Sequence, residues 1–385
     1  MSRRAFLSRL AIGAGAVTAV AGGGLAWRVL DQSVLAPGSG PAYEAWRARL
    51  TGDGPLSLVR AAILAANAHD TQPWRFRIAA GHIELFADRT RSIGAVDPLG
   101  RELEISLGCA IENLLVAAGA NGYEPRLTLR PDSSHPDLVA RVALTEGPPT
   151  ASPLFDAIPR RHTDRTAYDT ARPVERGVLD ELAALADDAT ASVVWLDAEP
   201  ERGRFGELTV QATEVLIADP DQSRDDFAWY RQDWAEIQRR KDGITIDTAG
   251  LSDPFRIVVR VLPPADRAPL QLGWVDGTRD RHVATAAAFG LITVEDGADL
   301  AQRIAAGRVF QRIHLAATAR GLAIQPLNQV FERADREASA DLEPHFGAAL
   351  AALTPKRQAL MAFRIGNPTV TPNLSPRRIA EEVLL

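Results

Sequence analysis

Three short segments carry the side chains best suited to chemistry. Arg160-Arg161-His162-Thr163-Asp164-Arg165 sets three guanidiniums and a hydroxyl within six residues. Arginine grips phosphate through paired N–H groups and a hydroxyl adds a neutral hydrogen bond, so this is a candidate phosphate site. A solvated charge cluster would read the same way. Ala66-Asn67-Ala68-His69-Asp70-Thr71-Gln72-Pro73-Trp74 is dense in short polar groups and enters a strand through Pro and Trp. Such a loop presents donors and acceptors at the mouth of a rigid scaffold. Alternatively, its Asn and Asp only satisfy their own turn. Ser375-Pro376-Arg377-Arg378 is a third basic candidate.

Other chemistries are thinly represented. No Gly-x-x-x-x-Gly-Lys-Ser/Thr phosphate loop and no Gly-x-Ser-x-Gly nucleophile elbow occurs. The single cysteine, Cys109, excludes a disulfide framework within the chain and any four-thiolate metal site. The seven histidines are scattered with no pair at helical ligand spacing, which argues against a metal site. A net charge of −6 argues against bulk binding to nucleic acid. Of the basic residues only Lys241 and Lys356 are lysines, so any bound anion falls to arginine.

The elements that must position these segments follow from periodicity. A helix is predicted over 56–68 and a hairpin over 75–86 with its turn at Ala80-Gly81. Leu103, Leu107, Ile111, Leu114 and Ala118 mark one buried helical face that stops near Gly119 and Gly122. Strands follow at 126–129 and 138–144. From about Leu154 a second round begins: a helix at 178–186, a strand at 192–196, helices at 207–218 and 300–319, and a late strand at 362–365. The class is α+β, layered, with two halves that read as divergent copies of one plan. The charged, Trp-rich stretch 222–256 reads either as a lid or as a surface helix that buries Trp229 and Trp234.

The chain opens Ser2-Arg3-Arg4-Ala5-Phe6-Leu7 ahead of an uncharged run from Ala11 to Trp27. That is the pattern of a twin-arginine export signal, cleaved near Ala19-Val20-Ala21 or retained as an anchor. It places the protein in the periplasm or another extracytoplasmic space, with the twin-arginine machinery as a partner. Residues 28–41, with Pro37-Gly38-Ser39-Gly40-Pro41, read as a linker.

Taken together, the Gln72-Pro73-Trp74 loop, the Arg161-x-Thr163-x-Arg165 segment and the late Arg377-Arg378 pair resemble the nitroreductase superfamily. Their order, with the loop ahead of the basic segment, is similar to its Acg-type subgroup, in which two family units are fused. Asp97-Pro98-Leu99-Gly100-Arg101-Glu102-Leu103, Asp242-Gly243-Ile244 and Pro326-Leu327-Asn328-Gln329 extend the resemblance over residues 45–385.

The resemblance implies a pseudo-dimeric chain, monomeric or a weak homodimer. Residues 42–150 form its first half and 151–385 its second. One composite FMN site is implied between them. Arg161, Thr163 and Arg165, with Arg377 or Arg378, would hold the phosphate. Asn67, Asp70 and Gln72 would contact the ribityl chain or ring, and Pro326, Leu327 and Asn328 the ring edge. The flavin carries the redox chemistry, so no side-chain catalyst is named. The implied activity is electron transfer from NAD(P)H or another donor to a nitro- or quinone-type acceptor; the alternative is a flavin-binding or storage protein. Two departures stand out: Asp70 replaces the family's Asn, and Asn328-Gln329 replaces a Glu-Gly pair.

Overall fold

A computed structural model describes residues 23–186 and 190–385. Of the expected export signal or anchor over 1–27, residues 1–22 lie outside that range. In the first half, helix α1 (Pro55–Ala62) leads through a polar loop into β1 (Trp74–Ala79) and β2 (His82–Ala87). Helix α2 (Arg101–Ala120), β3 (Tyr123–Leu129) and β4 (Leu138–Glu146) follow. The strands form one antiparallel sheet in the order β1-β2-β4-β3.

The second half contains α3 (Arg176–Ala183), β5 (Ala191–Leu196), α4 (Glu201–Ala218), α5 (Pro220–Phe227), α6 (Trp234–Arg240), α7 (Asp253–Val261) and α8 (Arg267–Gly277). Then come β6 (Ala288–Val294), α9 (Leu300–Ala319), β7 (Ala323–Pro326), α10 (Gln329–Ser339), α11 (His345–Leu353) and β8 (Gln358–Gly366). Its sheet is also antiparallel, in the order β5-β6-β8-β7. Counted within each half, both sheets run first-second-fourth-third. In both, a long helix joins the second strand to the third. The two halves therefore share one sheet order and one helix placement.

The two long helices are the clearest pair. Each has 20 residues, and at the start of each an aspartate accepts from first-turn backbone N–H groups. Asp97 accepts from the backbone N–H groups of Glu102 and Leu103, and Asp299 from that of Gln302. They pack against one another through Gly108 and Gly307, the eighth residue of each. A Cβ on Gly307 would lie 2.0 Å from the Ile105 carbonyl oxygen, and one on Gly108 would lie 2.3 Å from that of Ile304. The contact is backbone to backbone, reciprocal, and centred on a pseudo-twofold axis.

The halves differ most between their first two strands. The first half turns there through Ala80 and Gly81, whereas the second inserts residues 197–287 with helices α4–α8. The halves are also interlocked. Phe76 exchanges backbone hydrogen bonds with Val383 and Leu385, both 2.8 Å, so the C-terminal segment extends the first sheet's edge. The boundary near residue 150 thus separates the halves in sequence more than in space.

Residues 28–41 are not a free linker. Gln32 and Val34 are buried, and Arg28 donates to the carbonyls of Val261 and Leu262 at 2.6 and 2.9 Å. The Pro and Gly residues there shape a packed turn, with Gly38 and Gly40 at positive φ. The predicted helix over 56–68 ends early, at Ala62, and the chain passes through turns into the polar loop. Strand β6 has no counterpart in the sequence reading. All seven of its residues are buried, and a short unbroken apolar run shows no alternation.

Candidate functional site

A cavity of about 800 Å³ lies where the halves meet. Loop residues Ala66–His69 and α2 residues Glu102, Ile105 and Ser106 form the first half's wall. Thr163, Arg165, Gln325, Pro326, Asn328 and Glu332 form the second half's wall. The insertion closes it with Tyr230, Leu251, Phe255, Val258 and Trp274. The volume is that of a small-molecule site, largely apolar with a few convergent polar groups.

The polar loop is held in an unusual shape. His69, Asp70 and Gln72 all have left-handed backbones, with φ of 48°, 54° and 51°. Non-glycine residues adopt this only where the surroundings enforce it. The Asn67 side-chain oxygen accepts from the Gln72 N–H at 2.7 Å, and the Ala68 N–H donates to Ser106 at 3.1 Å. Gln72 donates from its amide to the Lys241 carbonyl at 2.7 Å and accepts from the Arg378 N–H at 2.9 Å. The loop is thereby tied to the insertion and to the C-terminal segment at once.

Of the residues expected at a flavin, Asn67, Thr163, Arg165, Pro326 and Asn328 line the cavity. The structure places the other six behind its wall. Asp70 is buried in an ion pair with Arg377, whose guanidinium also reaches the Ala65 carbonyl at 3.3 Å. The acid at the family's Asn position therefore faces an arginine, and that arginine is engaged by a carboxylate. Gln72 and Arg378 bond to each other. Leu327 is buried in the second half's core, its N–H bonded to the Ala362 carbonyl at 2.8 Å.

Arg161 is only 2% exposed. It donates to the Leu64 carbonyl at 3.0 Å and lies 3.5 Å from Nδ1 of His314. Burial pulls its pKa down to about 10, so it remains a cation at neutral pH. Arg165 behaves differently. It lines the cavity, donates to the Thr248 carbonyl at 3.3 Å, and has no ion pair among the described residues.

The expected lid, 222–256, does reach the cavity through Asp226, Tyr230, Ile244 and Phe255. Its two tryptophans point elsewhere: Trp229 lies under the guanidiniums of Arg91 and Arg231, and Trp234 stacks on Tyr43. The cover is pinned by Asp242, which pairs with both Arg91 and Arg231. The lining extends beyond this stretch to Val258, Leu270, Trp274 and His282, which the sequence reading missed.

Several cavity groups were not legible as a site. Glu102, Glu332 and His69 bring side-chain ligand atoms within 4.8 Å of one another. Burial pushes the carboxyl pKa of Glu332 upward with help from the neighbouring Glu102, and burial pushes that of Glu102 upward with help from Asp97 and Asp335, against the opposing Arg101. Of the three, His69 belonged to the polar loop and Glu102 to the Asp97–Leu103 motif, while Glu332 had no sequence signal.

His314 yields a pH prediction. Burial, and then Arg161, hold its pKa well below 6.5, so it is neutral when folded. Below pH 6.5 the unfolded chain takes up a proton that the folded chain refuses, and stability falls as pH falls. This group contributes a slope of up to about 1.4 kcal/mol per pH unit. His314→Gln removes that contribution. In urea denaturation the wild-type advantage over the variant should be constant above pH 7 and shrink at about that slope below 6.5. An advantage that does not change between pH 7.5 and 5.5 would contradict a neutral buried His314.

Comparison with known proteins gives the following. A "Putative NAD(P)H nitroreductase" of Mycobacterium tuberculosis is 28% identical over 275 residues, 70% of this chain and 75% of that protein. An uncharacterised protein of the same species is 27% identical over 346 residues, 85% of this chain and 92% of that one. The "Putative NAD(P)H nitroreductase acg" is 30% identical over 170 residues, half of its length. No protein-family model matches the chain. Among solved structures, the FMN-dependent nitroreductase NfnB of Mycobacterium smegmatis in complex with NADPH has a TM-score of 0.36 and 19% identity. That alignment covers 60% of this chain and 97% of that one.

Proposed function

We propose that this chain, which belongs to the nitroreductase superfamily, binds FMN between its two halves and transfers electrons from NAD(P)H to a small nitro- or quinone-type acceptor. The observation that carries the reading is the convergence, on one cavity, of Asn67 from the first half with Thr163, Arg165, Pro326 and Asn328 from the second. The fit is chemical as well as spatial. Gln329 Oε1 is buried without a hydrogen-bond partner, and Gln329 lines the cavity. An orphaned acceptor suits a polar ligand.

Arg165 and Thr163 would hold the phosphate, with the buried Arg161 adding field from behind rather than contact. Asn67 would shape the wall rather than grip the ligand, its side-chain oxygen being committed to the Gln72 N–H and its amide to the Ala65 carbonyl and Asp70. The Pro326 and Asn328 backbone would border the ring. Bound FMN supplies hydride and electron chemistry. The chain's own task is to orient it and keep water out, for which Leu251, Phe255, Val258 and Trp274 provide the apolar cover.

The pinned cover supports a second reading, a flavin-binding protein with little turnover. One experiment separates the two. Purified chain is mixed with FMN, and bound flavin is read from its visible spectrum. NAD(P)H-driven reduction of a nitro or quinone acceptor is then compared with free FMN. Stoichiometric binding with faster reduction supports the oxidoreductase. Binding without faster reduction supports storage, and no binding removes both.

We also infer twin-arginine export from Arg3 and Arg4. Replacing both with lysine should hold the protein in the cytoplasmic fraction; unchanged export would refute it.

A further inference from the structure

We propose that His69, Glu102 and Glu332 form a binding site for one divalent first-row transition-metal cation at the cavity wall. The inference is independent of FMN. One ligand atom from each residue lies within 4.8 Å of the others. Two carboxylates and an imidazole suit Mn²⁺, Fe²⁺ or Zn²⁺. Bond lengths near 2.1 Å put ligand atoms about 3.4 Å apart, so modest side-chain movement would close the set.

Two further observations point to a ligand. Glu332 is 5% exposed, its Oε2 receives no hydrogen bond from a fixed donor, and its carboxyl faces that of Glu102, so the pair must share either a proton or a cation. It also forms no ion pair among the described residues. His69 is oriented by a carboxylate: its Nε2 lies 2.9 Å from Asp226 Oδ1, and Asp226 is itself held by Gln271 at 3.2 Å. A carboxylate behind a ligating imidazole fixes the ring and raises its basicity. With Nε2 engaged, Nδ1 keeps the free lone pair.

Charge balance agrees. Glu102, Glu332, Asp226, Asp97 and Asp335 are packed around this wall. Arg101, buried among them, is shared between Asp335 at 2.7 Å and Glu102 at 3.4 Å. A buried excess of carboxylates needs a cation or protons. The cavity leaves room for water to complete a coordination sphere.

The ligands come from the polar loop, the start of α2 and the start of α10, so no ligand spacing exists along the chain. The scattered histidines therefore gave no warning of the site.

The test uses full-length, FMN-free and FMN-loaded protein with Mn²⁺ as probe, read by loss of the free-ion EPR signal. About one Mn²⁺ per chain should bind in both forms, with Zn²⁺ competing. Glu332→Gln and His69→Ala should each weaken binding at least tenfold. Saturable binding that both variants retain, or no saturable binding by the wild type, would overturn the proposal. Should the variants misfold, anomalous diffraction from wild-type crystals soaked in MnCl₂ decides. A peak among the three side chains supports the site; its absence there refutes it. A flavin-free chain that still binds Mn²⁺ would separate this site's fate from that of the FMN reading.

Discussion

Gly307→Ala is expected to destabilise the protein by about 2–3 kcal/mol, although alanine is the better helix former. At an unconstrained helical site the exchange gains up to about 1 kcal/mol. Here the new Cβ would sit 2.0 Å from the Ile105 carbonyl oxygen, 2.8 Å from its carbon and 3.0 Å from the Gly108 Cα. All three are backbone atoms, so no rotamer change relieves the contact and α2 must move away from α9. Overpacking of a close-packed interface costs about 1–3 kcal/mol and sometimes more, and this one lies at the centre of the molecule. Gly108→Ala should carry a similar penalty, because its Cβ would meet the Ile304 oxygen at 2.3 Å. Gly119→Ala is the control. It lies in the same helix α2 with nothing within 4 Å of its added carbon, and should stabilise by about 0.5–1 kcal/mol. Urea denaturation of the three variants measures all of this. A Gly307→Ala protein as stable as Gly119→Ala would rule out a tight helix crossing.

Arg165→Ala is expected to weaken FMN binding by roughly 10- to 150-fold while leaving the fold intact. Hydrogen bonds to a charged group contribute about 1.5–3 kcal/mol, and 1.4 kcal/mol is tenfold in affinity. The side chain lines the cavity and, among the described residues, donates to the Thr248 carbonyl alone, so its removal orphans little. Arg161→Ala should do the reverse. It strips the Leu64 carbonyl of its donor inside the core and costs about 1–3 kcal/mol of stability, with a smaller effect on flavin. The double variant should be colourless. Equilibrium dialysis with FMN, alongside a melting curve for each variant, distinguishes the two roles. Full flavin retention in Arg165→Ala would remove that arginine from the phosphate site, and unchanged stability in Arg161→Ala would remove the other from the core.

The two arginines show how far local reading extends. Both lie in one six-residue segment and have the same chemistry, yet one lines the cavity and the other is sealed behind it. Nothing in Arg161-His162-Thr163-Asp164-Arg165 indicates which is which. The difference arises because Leu64 and His314, distant in sequence, close over the first. The same holds for Asp70. The resemblance set it against the flavin; in the fold it faces Arg377 from the other end of the chain.

What the sequence determined alone was local. The 3.6-residue period set the buried face of α2, and the alternation of Arg75 to Phe86 set the first hairpin. The Gln72-Pro73-Trp74 and Arg161-x-Thr163-x-Arg165 segments pointed to the superfamily. These are properties of neighbouring residues, fixed by backbone geometry and side-chain type. The tertiary structure alone decided the equivalence of the two sheets and the glycine-to-glycine crossing of α2 and α9. It also decided the packing of residues 28–41 and the meeting of His69 with Glu102 and Glu332. Each depends on atoms brought together across the pseudo-twofold axis or from segments far apart in the chain. A buried charge acquires its role from the partners that desolvate and neutralise it, and those partners exist only once the chain has folded.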